Sequence, residues 1–327
     1  MKILFKFTKI YLGGFVMPLL FLTACKDVNT IDSEVSKVPV EISVERFDQL
    51  FYNTPVSEME TLKKQYPYLF PQQYDDAFWI EKKNDSLFKE IYEEVEKKYT
   101  DLGSLPNDLE LFFKHVKHFF PNENPKKVIT LISEVDVTAK AIYADSISLI
   151  SLDTYLGEDH QFYKGFPEYL RGAFNESQIL PDLAESFLLT KLKQPKDRNF
   201  LSQMIYQGKI LYAKEQLLPK VKEGDLISYT PEQIEWCFAN ESEMWRYFIE
   251  KKLLFDTDPK LQVRFLQPSP FSKFYLEIDA TSPGRTGSWL GWQIVRSYMK
   301  NNNVTLQELF NIEAKELFEK SRYKPKK

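Results

Sequence analysis

The N-terminal segment that ends at Cys25 most constrains how this chain can fold. Three lysines and no acidic residue precede an apolar run from Ile10 to Leu22. Thr-Ala-Cys follows this run directly. A basic region, an apolar region and small residues before a cleavage site are typical of a secretory signal. With cysteine directly after Leu-Thr-Ala, the pattern predicts a lipobox, in which Cys25 is acylated and residues 1–24 are removed as a signal peptide.

The alternatives to a lipobox are an ordinary signal peptide and a short membrane anchor. A membrane-spanning helix needs about 20 apolar residues, whereas this run is shorter and contains Gly13, Gly14 and Pro18. One acyl chain holds a protein on a membrane only marginally, so we expect the several chains of a bacterial lipoprotein to hold it permanently. The sequence therefore predicts a membrane-anchored lipoprotein of the cell envelope that faces the periplasm.

Export leaves this chain without disulfide bonds as a source of stability. Outside the lipobox it has a single cysteine, Cys237, so no intrachain disulfide can form even in an oxidising compartment. Cys237 lies between Trp236 and Phe238 in a helical stretch, which indicates a buried structural thiol. The fold must therefore be stabilised by its core alone.

The charge of the exported part excludes one large class of function. Removal of residues 1–24 takes away three lysines, which leaves 40 basic and 47 acidic residues and a formal charge of −7. A nucleic-acid-binding protein would have a basic domain, so we predict no nucleic-acid partner. We expect residues 25–37 to form a flexible tether and residues 38–327 to form a single globular domain.

The hydrophobic pattern predicts an α+β fold in which helices predominate. Residues 38–46 alternate apolar and polar side chains, as a half-buried strand does. Three β-branched runs predict a small antiparallel meander, and two later runs also predict strands: 128–132, 138–143 and 146–152, then 262–266 and 274–278. Helices are predicted over 86–99, about 108–120, 181–192 and 197–218, and from starts near 230, 240, 283 and 305.

The helix predicted from Pro181 invites comparison with a catalytic motif. A zinc peptidase of the H-E-x-x-H type needs two histidines one turn apart, with a glutamate between them as general base. Here Glu185 has the position of the glutamate, but Ala184 and Leu188 stand at the ligand positions and Gln207 replaces the third ligand. Aliphatic side chains cannot hold Zn²⁺. The plain alternative is a pair of packed helices that never carried a site.

The three histidines give no stronger signal for catalysis. His115 and His118 have the spacing that lets two imidazoles face one ion, but His115 lies in line with apolar positions, so a packed pair is favoured. His160 follows two acids in a loop and has no partner by sequence. The sequence has no nucleophile elbow, phosphate loop or dinucleotide fingerprint. We therefore predict no catalytic residue, no bound metal and no cofactor.

Five sequence blocks resemble the gliding-motility lipoprotein family GldB of the Bacteroidetes. They are distributed over the chain after residue 150 and are long enough to be specific, and the lipobox completes the match. They are YLGEDH at 155–160, MIYQGKILY at 204–212, PFSKFY at 270–275, PGRTGSWLGWQIV at 283–295 and KSRYKPKK at 320–327.

The resemblance implies an envelope lipoprotein that is required for gliding motility and works beside the type IX secretion machinery. It also implies a distant similarity to predicted zinc peptidases, in which the helix at 184–188 carries H-E-x-x-H and a glycine-rich block resembles residues 284–291. From this we expect a zincin-like α+β fold that has lost catalysis, a pseudopeptidase. Its partners would be the membrane, through Cys25, and proteins of the gliding and secretion machinery.

In this interpretation the old cleft serves as a binding groove. We predict Tyr155, Glu185, Gln207 and Arg285 as its lining residues. The strand that ends at Leu152 would form its edge and accept an extended peptide by strand addition. For each residue taken alone, ordinary packing or surface exposure is the competing explanation.

Two other functions remain open at this stage. One is a metal-dependent hydrolase that uses His115, His118 or His160 with nearby acids. The other is a surface lipoprotein that binds a glycan through exposed tryptophans, although Trp245 and the pair Trp289 and Trp292 fit the buried faces of helices better.

Overall fold

The computed structural model describes residues 34–326 of this chain, and the predicted signal segment and Cys25 lie outside the described residues. Four short strands form a single mixed sheet: β1 is Ser43–Arg46, β2 Lys127–Leu131, β3 Ala141–Ala144 and β4 Ile147–Ser151. The strand order is β1-β2-β4-β3. β1 and β4 both run parallel to β2, while β3 pairs antiparallel with β4. The predicted strand at 38–46 is therefore present in its last four residues.

The prediction of an antiparallel meander is wrong in one pairing. β3 and β4 form the expected hairpin, but β2 pairs with β4 in parallel and does not pair with β3. As a result β4 lies inside the sheet, with β2 on one side and β3 on the other. The strand that ends near Leu152 is thus not an edge, and its backbone groups are already paired. Addition of a peptide strand at this position is excluded by that pairing.

Helices make up most of the remaining chain, which confirms the predicted α+β class with helices predominating. Before the sheet's last three strands they are α1 Phe47–Asn53, α2 Met59–Gln65, α3 Asp76–Asn84, α4 Ser86–Lys98 and α5 Leu105–Phe119. After β4 they are α6 Glu168–Arg171, α7 Ile179–Lys191, α8 Phe200–Leu217, α9 Glu223–Ile227, α10 Pro231–Ala239, α11 Glu241–Glu250, α12 Lys260–Phe265, α13 Thr286–Asn301, α14 Leu306–Asn311 and α15 Ala314–Ser321.

Several helix starts follow directly from local sequence. The first free N–H groups of a helix need acceptors, and the Asp85 carboxylate accepts a hydrogen bond from the Phe88 N–H at 2.8 Å. Thr230 and Thr305 each begin a capping box, in which the threonine side chain and the residue three positions later bond reciprocally. These short-range patterns placed α4, α10 and α14 correctly.

The two later strand predictions are wrong. Residues 262–266 fall mostly in helix α12, where Leu261 and Phe265 are buried at a spacing of four residues and Val263 is exposed. In the second run, the Asp279 carboxylate accepts hydrogen bonds from the N–H groups of Phe274 and Tyr275, at 2.8 and 2.9 Å. Tyr275 has φ +61°, which no strand residue adopts. That segment is a turn built around an aspartate.

The sheet separates two apolar clusters. The side chain of Val128 belongs to a large cluster that contains most of the helices after β4, whereas the next residue, Ile129, packs in a smaller one. This alternation follows from the pleat of a strand. The smaller cluster is mainly aromatic and unites α1 to α4 with that face of the sheet, through Phe47, Phe51, Tyr66, Phe70, Trp79 and Phe88.

Helices α8 and α13 cross in the large cluster at a pair of glycines. A Cβ atom built on Gly208 would lie 2.3 Å from the backbone of Gly291, and one built on Gly291 would lie 1.9 Å from the carbonyl oxygen of Met204. The two backbones are therefore in direct contact, which only glycine permits. Trp289 and Trp292 of α13 are fully buried.

The compact unit that contains all these elements begins at Val38. Among residues 34–326, no helix combines the length and the apolar character that crossing a membrane requires. The Cys237 thiol on α10 is free and buried, as predicted, and burial raises its pKa. A neutral, buried thiol has the character of a packing residue.

Candidate functional site: a charged cleft beside helix α7

Helix α7 presents one apolar face and one charged face. Leu183, Ala184 and Phe187 are buried in the large core, and Asp182 and Glu185 lie on the opposite side, half-buried and one turn apart. The helix is fixed against edge strand β3, where the Tyr143 N–H donates a hydrogen bond to the Ser186 Oγ at 2.9 Å. This bond also occupies a backbone donor of the edge strand.

Asp182 is held by a lysine and a tyrosine. The Lys140 Nζ lies 2.6 Å from the Asp182 Oδ2, and the Tyr155 hydroxyl donates a hydrogen bond to the same oxygen at 2.9 Å. The same Nζ donates to the carbonyl of Ala173 at 2.6 Å and lies 4.8 Å from the centre of the Tyr155 ring. Burial, together with the Asp182 charge, raises the pKa of Tyr155, so the hydroxyl stays protonated and acts as a donor.

Glu185 lies among three cations. The Lys214 Nζ of α8 is 3.1 Å from the Glu185 Oε2, and the charges of Arg285 and Lys140 also act on this carboxylate. Partial burial would raise the pKa of Glu185, but these three cations outweigh it and hold the pKa below its ordinary value. The Lys214 side chain is only 3% exposed, whereas the Glu185 side chain is 38% exposed. The Glu185 side chain is therefore more accessible to solvent than its main partner.

Arg285 acts on Glu185 from the start of α13. The group of charged side chains called the charged cleft below consists of Lys140, Asp182, Glu185, Lys214 and Arg285. Arg285 adopts a left-handed conformation with φ +63°, directly before the first residue of the helix. Its Nη1 donates a hydrogen bond to the Ile227 carbonyl at 3.0 Å, and its Nε has no hydrogen-bond acceptor within residues 34–326. The preceding Gly284 packs so tightly that a Cβ there would lie 2.2 Å from the Ser269 carbonyl oxygen. A cavity of about 100 Å³ adjoins Arg285.

The structure brings two of the four predicted groove residues together, because Glu185 lies within electrostatic range of Arg285. Tyr155 is fully buried and reaches the same helix through its hydrogen bond to Asp182. Gln207 is half-buried on α8, two helical turns before Lys214, and no hydrogen bond of the described chain joins it to the other three. A binding role for these four residues stays a prediction.

Sequence reasoning missed the residues that give this cleft its charge. Lys140, Asp182 and Lys214 make its closest ion pairs. Two signals were present in the sequence: acids at a spacing of three on one predicted helix, and a lysine on the buried face of an otherwise apolar one. Lys140 gave no local signal, because only the tertiary fold brings it to α7.

The positions that would hold zinc in an H-E-x-x-H peptidase face the core. Ala184 and Leu188 are both fully buried on the apolar side of α7. Glu185, between them, is engaged by Lys214. Across the described part of the chain, no three His, Cys, Asp or Glu side chains are grouped closely enough to hold a metal ion.

The histidines lie in separate surroundings. His115 is buried on α5, as its apolar register predicted, and the His118 ring packs perpendicular to Phe119 with the ring centres 5.0 Å apart. His160 lies elsewhere, with its Nε2 3.1 Å from the Glu94 Oε2. Hydrogen bonding to His160 lowers the pKa of Glu94.

All five tryptophan side chains are buried or half-buried. Trp289 and Trp292 are fully buried, as predicted, and Trp245 is half-buried against Phe318 and Tyr323. The other two are buried or half-buried as well. A glycan platform would need an exposed ring face, which none of the five offers fully.

Comparison with known proteins adds an independent finding. A search of curated proteins and a search of solved structures gave no significant match. A family model described as gliding motility protein GldB matches residues 28–325, which is nearly the whole chain and includes every residue of the charged cleft. This protein therefore belongs to the GldB family of gliding-motility lipoproteins.

Proposed function

We propose that this protein supports gliding motility without catalysis, as an envelope lipoprotein that assembles or stabilises the gliding and type IX secretion machinery. Family membership implies involvement in gliding motility. The proposal adds a lipid anchor on Cys25, a periplasmic position, a zincin-like ancestry of the fold and a partner protein bound in the charged cleft.

The observation that carries the non-catalytic proposal is the state of α7. A general-base glutamate must be free to take a proton from water, yet Glu185 is paired with Lys214 and its pKa is lowered. A lowered pKa makes the carboxylate a weaker base at neutral pH. The buried aliphatic residues on the other face of the helix are suited to packing.

The charges of the cleft describe the partner that it would fit. Lys140, Lys214 and Arg285 face two acids, Asp182 and Glu185, so the cleft has both signs with one cation in excess. Because β4 is internal and the Tyr143 N–H of β3 is already bonded, strand addition is not the expected mode. We propose recognition through side chains of a polar segment that includes an acidic residue, since charge complementarity favours the correct partner over others.

The proposal can be tested in cells that carry the tethered full-length protein. We would replace Lys140 and Arg285 by glutamate, crosslink, and compare the proteins recovered with those from wild type. The expected result is loss of secretion-complex subunits from the recovered material and loss of gliding. The matched control reverses two exposed lysines that follow α11, Lys251 and Lys252, and should change neither result.

A separate measurement distinguishes loss of binding from loss of folding. Each purified full-length variant is melted in detergent, and only variants with a thermal midpoint near the wild-type value are interpreted. If the cleft variant is folded, anchored and still supports gliding with the same crosslinked partners, the cleft is not the binding surface and this part of the proposal fails.

A further inference from the structure

Lys209 of α8 is a buried cation that lacks a carboxylate partner. Lys209 is only 6% exposed to solvent. Within residues 34–326 its Nζ makes one hydrogen bond, to the Ile312 carbonyl at 2.6 Å. An ammonium group carries three N–H donors. Burial lowers the pKa of Lys209 to about 8, although the charge of Glu313 opposes this shift. Two donors on a buried charge are thus left without an acceptor in the described protein.

The neighbouring Lys214 shows that a buried lysine of α8 can receive a counter-charge from another helix. Lys214 is as buried as Lys209 but is paired with Glu185 at 3.1 Å. Glu313 is the acid whose charge acts on Lys209. Its carboxylate is instead paired at 2.8 Å with Lys196, a side chain that is 84% exposed. A buried charge is costly unless it is paired, so the missing carboxylate at Lys209 calls for an explanation.

A cavity of about 220 Å³ adjoins Lys209. It lies between the segment after α7, the first turns of α8 and the turn between α14 and α15, and its polar lining includes Gln194, Ser202, Tyr206 and Asn311. The Tyr206 oxygen accepts a hydrogen bond from the Gln194 Nε2 at 2.9 Å. In the described chain the Tyr206 hydroxyl hydrogen has no acceptor of its own, so it is a second available donor.

The size and charge of this cavity limit what it can bind. Three lysines, at 193, 196 and 209, and two acids, Asp197 and Glu313, contribute to its lining, which leaves one positive charge in excess. Drug-sized ligands occupy pockets of roughly 300–1,000 Å³, so this cavity suits a smaller group. A singly charged anion with two oxygen acceptors matches both the charge and the two donors.

We propose that this cavity binds a carboxylate group, which accepts hydrogen bonds from the Lys209 ammonium and the Tyr206 hydroxyl. The hydrogen bond to the Ile312 carbonyl holds the lysine in position for this contact. The carboxylate can come from a free small acid or from the C-terminus of another polypeptide, and both sources offer the same chemistry.

Protection of Lys209 from chemical modification tests the proposal in the full-length wild-type protein. Reductive methylation with formaldehyde and a hydride reductant is followed at each lysine by mass spectrometry in four solutions of equal ionic strength: sodium chloride, sodium acetate, the tripeptide N-acetyl-Gly-Gly-Ala, and its C-terminal amide. A probe at ten times its dissociation constant should slow methylation of Lys209 about tenfold. The amide and chloride should give no protection, and Lys300 on the surface should react equally in all four.

The arms of this experiment separate the sources of the carboxylate. Protection by acetate and tripeptide alike identifies a small-acid site, and protection by the tripeptide alone identifies a site for a chain terminus. Equal reactivity of Lys209 in all four solutions overturns the proposal. It is also overturned if Lys209 does not react in chloride, because the cavity is then closed to small molecules.

Two variants test the donors separately. Lys209→Met keeps a long unbranched side chain and removes the charge, and Tyr206→Phe keeps the ring and removes the hydroxyl. In the wild-type protein the bound probe should raise the thermal midpoint, and each variant should lose this rise, while Lys300→Met should keep it. If Lys209→Met does not fold, Tyr206→Phe and the protection measurement still test whether the cavity binds a carboxylate. A probe-induced rise that survives in both folded variants refutes the assignment of these donors.

Discussion

Substitution of Gly291 by alanine should destabilise this protein through the crossing of helices α8 and α13. The added Cβ would lie 1.9 Å from the Met204 carbonyl oxygen and 2.5 Å from its carbonyl carbon. Real Cβ contacts are essentially never shorter than 3.0 Å, so the helices must separate by at least about 1.1 Å along that direction. The contacted atoms belong to the backbone of a helix, and no rotation of a side chain can relieve the clash.

The expected loss of stability is the balance of two destabilising effects and one stabilising effect. Overpacking a core costs typically about 1–3 kcal/mol and sometimes more, and a backbone-to-backbone clash belongs at the upper end or beyond. A gap of about 1 Å also forfeits up to half of the dispersion energy of each contact that it opens, and the fully buried Trp292 lies at this crossing. Alanine recovers up to about 1 kcal/mol through its better helix propensity. We therefore expect a net loss of about 2–4 kcal/mol.

Chemical denaturation of the purified full-length chain in detergent, supported by thermal melting, checks this value. At about 2–4 °C per kcal/mol for a domain of this order of size, the midpoint should fall by roughly 4–16 °C. Gly208→Ala, on the other helix, should show a similar loss, because its Cβ would lie 2.3 Å from Gly291. Gly165→Ala is the matched control, since nothing lies within 4 Å of its added Cβ. Two crossing variants as stable as the control would refute the argument that the backbones are in contact.

Three further predictions concern single substitutions, and a fourth concerns bound metal. Glu185→Gln should lower the free energy of unfolding at pH 7 by about 1–2 kcal/mol. Folding lowers the pKa of Glu185 below its ordinary value of 4.5, so the carboxylate stabilises the folded protein above pH 4.5 and loses this effect as the pH falls through the folded-state pKa. The free energies of unfolding of variant and wild type should therefore converge in acid. Lys209→Met should raise the free energy of unfolding at pH 7 by about 1–3 kcal/mol. Folding lowers the pKa of Lys209 from 10.5 to about 8. The wild-type protein therefore becomes more stable as the pH rises from about 8 to 10.5, and the greater stability of the variant should disappear over that range. Cys25→Ala should release the folded protein from membranes and abolish gliding in a fractionation and motility assay; a variant that remains membrane-bound in gliding cells contradicts the anchor. Metal analysis of the purified chain should find no stoichiometric zinc, whereas a tightly bound zinc lost together with peptidase activity in His118→Ala would establish the hydrolase instead.

Local signals predicted much of this fold, because they depend on residues within one turn of each other. The caps at Asp85, Thr230 and Thr305 and the helices that they begin are examples. The parallel pairing of β2 with β1 and β4 could not be predicted in the same way. Alternation of apolar residues shows that a strand has a buried face, but it carries no information on the direction of a partner that lies some 20 to 80 residues away.

Short apolar runs were the other source of error. Between residues 262 and 266 a period of two and a period of four fit almost equally well, and only burial of Leu261 and Phe265 selects the helix. At Tyr275 the decisive interaction is made by the Asp279 carboxylate, four residues later, and it forces a backbone angle that propensity does not anticipate.

The glycine crossing connects the family blocks with both candidate sites. The block at 204–212 contains Gly208 and the block at 283–295 contains Gly291, so two separate stretches of sequence meet where the helices touch. Lys209 and Lys214 follow Gly208 on α8, and Arg285 precedes α13. A shift of about 1 Å at the crossing would therefore displace these cations relative to the carboxylate of Glu185, which α7 holds independently. Charged contacts near 3 Å weaken when their partners move apart. If Gly291→Ala folds, its loss of stability should thus be accompanied by a smaller pH dependence of the Glu185→Gln effect, which a double-mutant cycle measures directly.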